Sequence, residues 1–347
     1  MPPLPKEDLD HILKYTRTLW EEMRGQRLFI TGGTGFFGIW LLESFARAND
    51  ALTLGASATV LTRDPAAFAG RVPHLSARSD LAFVHGDVRT FAFPAGKFAF
   101  VIHAAATWTA KQSAEASLET FDGIVGGARH VLDFAAQAGT RKLLFTSSGA
   151  VYGRQPPGMA SLPEDYVGAP DPLDVASAYG EGKRAAEHLC CLYGRMHAFE
   201  VKIARCFAFV GPHLPLDAHF AIGNFIRDAL RGGPIRVNGD GTVCRSYLYT
   251  ADMAIWLWTI LFRGKTACAF NVGSGFSLSI KQLAERVAAT MNCRIEYLLA
   301  DSVDAQRPAN RYIPDVSRAE SEFGLSVRVP LEEAIRRTVN WCSARYL

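Results

Sequence analysis

The sequence lacks any apolar run that reaches the roughly 18 residues needed for a membrane-spanning helix. Its most apolar stretch, residues 253–262, is too short for that purpose and predicts a buried helix. The N-terminus does not resemble a secretory signal, because Lys6, Glu7 and Asp8 precede any apolar segment. We therefore expect neither a membrane protein nor a secreted one.

The seven cysteines contain no Cys-x-x-Cys pair. Their odd number and wide scatter argue against a disulfide framework and against a zinc site. The pattern predicts a protein without a metal ion, and a reducing cytoplasm suits it best.

The net charge is also small, at +3 for 347 residues. A nucleic-acid-binding protein needs a concentrated basic face, so nucleic acid is not an expected partner. A few local arginines could still bind an anionic substrate. The length exceeds the usual size of one hydrophobic core and predicts two lobes.

What the sequence does contain is a regular alternation of strands and helices. Strands are predicted at 27–31, 58–62, 81–85, 100–103, 142–147 and 200–206, and helices at 8–24, 37–47, 114–138 and 179–197. This order is typical of a parallel sheet with both faces covered. The predicted fold is α/β, a doubly wound (Rossmann) sheet with a smaller C-terminal α/β substrate lobe. The expected division is 1–206 for the first lobe, with a return around 244–262, and 207–347 for the second.

A glycine-rich turn follows the first predicted strand and opens the first helix of the alternation. Its GxxGxxG spacing lets the backbone turn sharply and approach a pyrophosphate, which the helix N-terminus then attracts. The predicted cofactor-binding residues of this turn are Gly32, Gly35, Phe36, Phe37 and Gly38.

The end of the second strand bears on the choice of dinucleotide. NAD-binding proteins usually place an acid there, beside the adenosine ribose, whereas Arg63 stands in this sequence and Asp64 follows it. Because an arginine can bind a 2′-phosphate, the predicted cofactor is NAD(P), with NADP favoured over NAD. Asp87 and Val88, after the third strand, are expected near the adenine.

Tyr179 and Lys183 lie four residues apart on a predicted helix, so that hydroxyl and ammonium share one face. The ammonium and a cationic nicotinamide would both favour the phenolate form, which makes Tyr179 a candidate general base. Ser147 and Ser148 end a later strand, where ligands of such sheets bind. A serine there can donate to, and accept from, the reacting oxygen.

These motifs together resemble those of extended short-chain dehydrogenases/reductases, in particular the NAD(P)-dependent nucleotide-sugar epimerase/dehydratase family. The resemblance covers nearly the whole chain. It rests on TGGTGFFG, SSGAVYG and YGEGK, and on His103-Ala104-Ala105, Arg205 through Gly211-Pro212, Gly239-Asp240-Gly241, Arg245-Ser246-Tyr247, Asn271 through Gly275, and Arg307-Pro308.

The resemblance implies specific roles. Ser148, Tyr179 and Lys183 would form the catalytic set, with Ser147 as the near alternative and a substrate contact. Ala104 and Ala105 would adjoin the cofactor, as would Tyr179 and Lys183. The implied substrate-binding residues also include Arg245 and Arg307 on the diphosphate, Asn224 and Phe225 in the nucleotide pocket, and Trp108, which either lines the sugar pocket or packs in the core. The family's helices at 114–138 and 179–197 imply a homodimer.

Departures from the family pattern bear on the reaction. Dehydratases of this family carry Asp-Glu after the catalytic residue, and UDP-glucuronate decarboxylases normally keep a Glu where Ala150 stands. Gly149 and Ala150 cannot transfer a proton, which favours epimerisation through a 4-keto sugar. Decarboxylation, dehydration and NADPH-dependent 4-ketosugar reduction remain alternatives. A non-catalytic dinucleotide sensor and a reductase of non-nucleotide carbonyls are more remote.

Overall fold

The computed structural model describes residues 1–106, 113–218, 220–298 and 310–343. The helices are α1 (Lys6–Thr16), α2 (Phe36–Leu52), α3 (Pro65–Arg71), α4 (Pro73–Ser76), α5 (Ala114–Gln137), α6 (Ala178–His197), α7 (Ala221–Leu230), α8 (Thr250–Arg263), α9 (Ile280–Met291), α10 (Ser317–Phe323) and α11 (Leu331–Ser343). The strands are β1 (Arg27–Thr31), β2 (Ser57–Thr62), β3 (Leu81–His85), β4 (Phe100–His103), β5 (Lys142–Ser148), β6 (Glu200–Cys206), β7 (Phe209–Val210), β8 (Ile235–Asn238), β9 (Cys244–Arg245), β10 (Leu248–Tyr249), β11 (Cys268–Val272), β12 (Leu278–Ser279), β13 (Ile295–Leu298) and β14 (Arg311–Tyr312). Short 3₁₀ helices cover Arg17–Met23, Gly149–Tyr152 and Val175–Ser177.

The main sheet has seven strands in the order β11-β6-β5-β4-β1-β2-β3. β1 pairs in parallel with β2 on one side and with β4 on the other. The chain therefore runs outward from β1 to β3 and then returns to the opposite side of β1. Ligands of doubly wound sheets bind beyond the carboxyl ends of strands at such a reversal. The predicted fold class is confirmed.

Helices cover both faces of this sheet. On β4, Phe100 lies 5.5 Å from the ring of Phe262 in α8, whereas the next residue, Val101, belongs to the core beneath α5. Because successive strand residues point to opposite faces, α8 and α5 lie on opposite sides. Aromatic rings fill the α5 side, where Phe29 of β1 lies 4.5 Å from Phe134.

Two sequence predictions of helices have instructive outcomes. The stretch 253–262 is indeed a buried helix, within α8, and no helix of the described chain is long and apolar enough to cross a membrane. Residues 8–24, predicted as one helix, instead form α1 followed by a 3₁₀ helix. The change occurs at buried Thr16, whose hydroxyl donates to the Ile12 carbonyl and accepts from the Trp20 indole.

The chain divides into two compact units. The first comprises 1–153, 168–206 and 254–270, and it contains the glycine-rich turn and the strands β1 to β6. The second comprises 154–167, 207–253 and 271–347. The assignment of 1–206 and 207–347 to a cofactor domain and a substrate domain stays a prediction.

Candidate active site

The glycine-rich turn joins β1 to α2 with three glycines in different surroundings. Gly32 has a φ of +72°, and a Cβ there would lie 2.5 Å from the Ala104 backbone. A Cβ on Gly38 would lie 2.3 Å from the Gly32 carbonyl oxygen, so only glycine lets α2 pack this closely. At Gly35 the nearest atom would be 3.4 Å away, which leaves its backbone open to a ligand.

These three surroundings are what a pyrophosphate-binding turn requires: a tight turn, an approachable backbone and close helix packing. Gly35 is the N-cap of α2, and within the described chain no side chain caps that helix end. The exposed positive end of the helix dipole can therefore bind an anion. The residues present fit a dinucleotide, with Gly32, Gly35, Phe36, Phe37 and Gly38 as the residues that would hold its pyrophosphate.

The end of β4 pairs with the end of β1, and the Thr31 hydroxyl adds two side-chain contacts there. Thr31 Oγ1 accepts a hydrogen bond from the Ala105 N–H at 3.2 Å and lies 2.7 Å from Nδ1 of His103. Burial, and secondarily the Lys183 charge, lower the pKa of His103 to about 3, so the ring is neutral. The Thr31 hydroxyl and Nδ1 share a hydrogen bond. This arrangement fixes the backbone of Ala104 and Ala105 beside the glycine-rich turn.

Ser148 and Tyr179 meet at the end of β5, and their hydroxyl groups share a hydrogen bond. Two features place them there. Ser148 also accepts from the Ala150 N–H at 3.1 Å and so begins the 3₁₀ helix. Gly180 lets α6 approach that helix, because a Cβ on it would lie 2.8 Å from the Ala150 carbonyl oxygen.

Lys183 lies one helical turn after Tyr179 and is buried. Its ammonium donates to the Thr146 carbonyl at 2.8 Å and lies 5.9 Å from the Tyr179 ring centroid. Burial lowers the pKa of Lys183 to about 8. Burial also raises the pKa of Tyr179, and the hydrogen bond with Ser148 opposes that rise. With the chain's own groups alone, burial raises the pKa of Tyr179, whereas the charge of Lys183 was expected to lower it.

Ser147 points away from Ser148, as neighbours on a strand do. Its hydroxyl donates to Glu187 at 2.5 Å, and Glu187 forms an ion pair with Arg205 at 2.7 Å. The Arg205 guanidinium lies 4.7 Å from the ring centroid of Tyr152, which is buried. The Ser147 hydroxyl belongs to this buried network, and its contact with a substrate stays a prediction.

Glu187 is a residue of this site that was not predicted from the sequence. The signal was present, because Glu187 follows Tyr179 by eight residues and Lys183 by four, on the same face of α6. What the sequence could not indicate is that this carboxylate joins β5 to β6 through Ser147 and Arg205.

The residues predicted near the adenosine follow the carboxyl ends of β2 and β3, at the β3 edge of the sheet. Arg63 is exposed directly after β2. The Asp87 carboxylate pairs with Arg89 at 2.8 Å, and this bond, with a smaller contribution from Arg63, lowers the pKa of Asp87. Val88 packs against α5, where a Cβ on Gly127 would lie 2.8 Å from Val88 Cγ1.

Three of the predicted substrate residues, Asn224, Phe225 and Arg245, belong to the second unit, and their surroundings differ. Arg245 donates to the Cys244 carbonyl at 2.8 Å and lies 5.8 Å from the Tyr312 ring centroid. Burial lowers its pKa. Asn224 accepts from Arg227 at 3.1 Å, and Phe225 is buried in the core. Trp108 and Arg307 lie outside the described residues.

Among the described residues, no group of three or more His, Cys, Asp or Glu side chains could hold a metal ion. The chemistry available in the first unit is therefore a hydroxyl pair, a nearby ammonium and a turn that fits a dinucleotide. Such a set can transfer a proton at an oxygen atom, and a nicotinamide dinucleotide bound at the turn would supply hydride chemistry at the adjacent carbon.

Known proteins resemble this chain along most of its length. UDP-glucuronic acid decarboxylase 3 of Arabidopsis thaliana is 35% identical over 218 residues, which are 63% of this chain and 62% of that protein. UDP-glucuronic acid decarboxylase 6 of the same organism is 29% identical over 89% of this chain and 86% of that protein. The fold is shared with the UDP-glucuronic acid 4-epimerase of Bacillus cereus, solved with UDP-glucuronic acid and NAD, at a TM-score of 0.77 and 20% identity over 92% of this chain and 100% of that one.

The sequence model of the NAD dependent epimerase/dehydratase family matches residues 28–273, from β1 to the strand after α8. That range includes the glycine-rich turn, Ser148, Tyr179 and Lys183. The resemblance drawn from the motifs is thereby confirmed, and this chain belongs to the NAD-dependent epimerase/dehydratase family of enzymes.

Proposed function

We propose that the protein epimerises a nucleotide-diphosphate sugar through a transient 4-keto sugar. The observation that carries the proposal is the hydrogen-bonded pair of Ser148 and Tyr179, with Lys183 one turn away and only Gly149 and Ala150 beside it. These groups suffice to move one proton at the C4 oxygen. They do not supply the extra carboxylate that dehydration or decarboxylation uses in the family pattern.

The chain's residues would act as follows. Tyr179 takes the proton of the C4 hydroxyl, and Ser148 holds that oxygen through a hydrogen bond. Lys183 supplies positive charge and would hold the nicotinamide ribose of a bound dinucleotide. A nicotinamide dinucleotide held by these residues and the glycine-rich turn would supply the hydride acceptor for C4 and, in reduced form, the hydride donor. Because its oxidised form is cationic, it favours the Tyr179 phenolate against the effect of burial.

Decarboxylation of a UDP-glucuronic acid is the second candidate, because the two relatives described above are named for it. Ala150 argues against decarboxylation, because its methyl group cannot transfer a proton as the usual glutamate can. Net reduction of a 4-keto sugar uses the same residues as epimerisation, and Arg63 favours it through its suitability for NADP. Arg245 and Arg307 would bind the diphosphate in each case, with Asn224, Phe225 and Trp108 in the nucleotide and sugar pocket.

We further infer a homodimer in a reducing cytoplasm. The dimer inference rests on the family resemblance and on apolar side chains that α5 and α6 expose. Leu118 is 62% exposed and Met196 is 71% exposed, although both helices pack against the same core on their other faces.

The test of function is mass spectrometry of what the protein carries and converts. The released dinucleotide is identified first, and fresh protein is then incubated with UDP-, dTDP-, CDP- and GDP-sugars without added cofactor. An epimerase gives a product of unchanged mass. Conversion only of 4-keto sugars, with added NADPH and a gain of two hydrogens, identifies a reductase, and loss of carbon dioxide identifies a decarboxylase.

The Tyr179→Phe variant ties the reaction to the site. Because it removes only the proton-transferring oxygen, turnover should fall at least about 100-fold, the lower end for loss of a general base. Dinucleotide binding should stay within about twofold. Tyr15→Phe, at an exposed tyrosine of α1, is the control and should keep full activity. Full activity in Tyr179→Phe would overturn the assigned mechanism.

A further inference from the structure

Two arginines flank the glycine-rich turn at the adenosine end of the predicted dinucleotide site. The parallel register of β1 and β2 pairs Thr31 with Leu61. Gly33 of the turn and Arg63 each follow this pair by two residues, so both lie beyond the carboxyl ends of their strands, on the same side of the sheet. Arg63 is exposed there, so its guanidinium can reach a ligand that occupies the turn.

The second arginine comes from α3. Arg71 is the last residue of that helix, and its guanidinium donates to the backbone carbonyl of Thr34, within the turn. Helix α3 thus places a second cation at the loop. Arg71 was not singled out by the sequence, because nothing in the spacing of residues 34 and 71 relates them.

The acids near this point are already engaged by the chain itself. Asp64 caps α3, with its Oδ1 accepting from the Ala67 N–H at 2.8 Å. Asp87 pairs with Arg89. A free carboxylate would accept hydrogen bonds from a 2′-hydroxyl and repel a 2′-phosphate. These bonds direct both carboxylates to the protein's own donors, whereas the guanidinium groups of Arg63 and Arg71 can donate to a phosphate.

We propose that Arg63 and Arg71 form a clamp for the 2′-phosphate of NADP(H). The inference rests on the proposed function only in that the chain must bind a nicotinamide dinucleotide. Guanidinium groups bind phosphate oxygens through pairs of charge-assisted hydrogen bonds, which are roughly twice as strong as neutral ones. The phosphate can therefore draw Arg71 from the neutral Thr34 carbonyl, while Arg63 meets it from the β2 side.

The experiment measures binding rather than turnover. NADPH and NADH are titrated by fluorescence into the full chain, and 2′,5′-ADP and 5′-AMP by calorimetry. Arg63→Ala and Arg71→Ala should each weaken NADPH and 2′,5′-ADP about tenfold, as expected for one lost charged hydrogen bond. NADH and 5′-AMP should change by less than about twofold. Arg47→Ala, at an arginine of α2 paired with Asp10, is the control and should change none of them.

The outcomes separate the clamp from the function. Equal losses of NADPH and NADH in Arg71→Ala would show that Arg71 only supports the turn, and would overturn its place in the clamp. Wild-type protein that binds NADH more tightly than NADPH would overturn the clamp entirely, while the epimerase proposal would stand. Arg71→Lys should recover part of the NADPH affinity, because it keeps the charge without the two-pronged geometry.

Discussion

At the scale of single residues, two neighbouring serines show how far a motif determines a site. The sequence places Ser147 and Ser148 at the carboxyl end of a strand and leaves both open as partners of Tyr179. Strand alternation then separates them, since Ser148 meets Tyr179 whereas Ser147 donates to Glu187. The motif could not distinguish the two hydroxyls, because the distinction depends on where α6 lies against the end of β5.

The pKa of Tyr179 provides a prediction at this scale. Without added dinucleotide, burial should keep Tyr179 protonated beyond the ordinary tyrosine pKa of about 10. The measurement is the tyrosinate absorbance of wild type minus that of Tyr179→Phe, followed against pH. Oxidised dinucleotide should shift this difference titration to lower pH, because it brings a positive charge.

Ser148→Ala is the informative companion to that titration. The hydrogen bond from Ser148 lowers the pKa of Tyr179, so its removal should move the titration to still higher pH. A phenolate that is present at neutral pH before dinucleotide is added would contradict the prediction.

At the scale of elements, α6 unites the groups of the site. Tyr179, Lys183 and Glu187 recur every four residues along one face, and glycine at 180 lets that face approach the 3₁₀ helix after β5. Glu187 then joins β5 and β6 through Ser147 and Arg205. The periodicity and the two strands are visible in the sequence, whereas the side-chain bonds that join them are not.

The Glu187→Gln variant tests this connection. It leaves the Arg205 charge without its carboxylate, so we expect the free energy of unfolding to fall by about 1–3 kcal/mol. Glu187 is also one of the charges that raise the pKa of Lys183, so the alkaline limit of dinucleotide binding should move to lower pH. Urea unfolding and binding against pH measure the two effects.

Ser147→Ala separates hydrogen bond from charge. It removes only the hydroxyl that donates to Glu187, and should cost about 1 kcal/mol without moving the pH limit. Equal pH profiles for wild type and Glu187→Gln would mean that Glu187 serves folding alone.

At the scale of the whole molecule, predictability differs between the two units. The first unit contains strands and α-helices of four to twenty-four residues, and the alternation of its longer elements is readable because each buries a regular apolar pattern. Strands of the second unit such as β7, β9 and β12 have two residues each, too few for any periodic signal. Residues 154–167 belong to the second unit through long-range hydrogen bonds, such as that from the Asn271 amide to the Leu162 carbonyl at 2.7 Å. No local sequence pattern predicts such bonds.

Association of two chains is the prediction that belongs to this scale. Light scattering should give twice the 37.9 kDa chain mass. Leu118→Glu and Met196→Glu place charges on the apolar surface of α5 and α6, and burial of an unpaired charge is costly, so both should shift the protein toward monomer. Phe276→Glu, at a 74% exposed residue of the second unit, is the control and should leave the mass unchanged. A wild-type monomer would contradict the inference.

The bond between Asp64 and the Ala67 N–H has an evolutionary consequence. For this chain to come to prefer a plain ribose, the nearest acid would have to turn toward the 2′-hydroxyl and give up the start of α3. Loss of a helix cap costs about 1 kcal/mol, and Arg71 stands at the far end of the same short helix. Cofactor preference is thus linked to local folding, so a lineage that changes it must repair a helix at the same time.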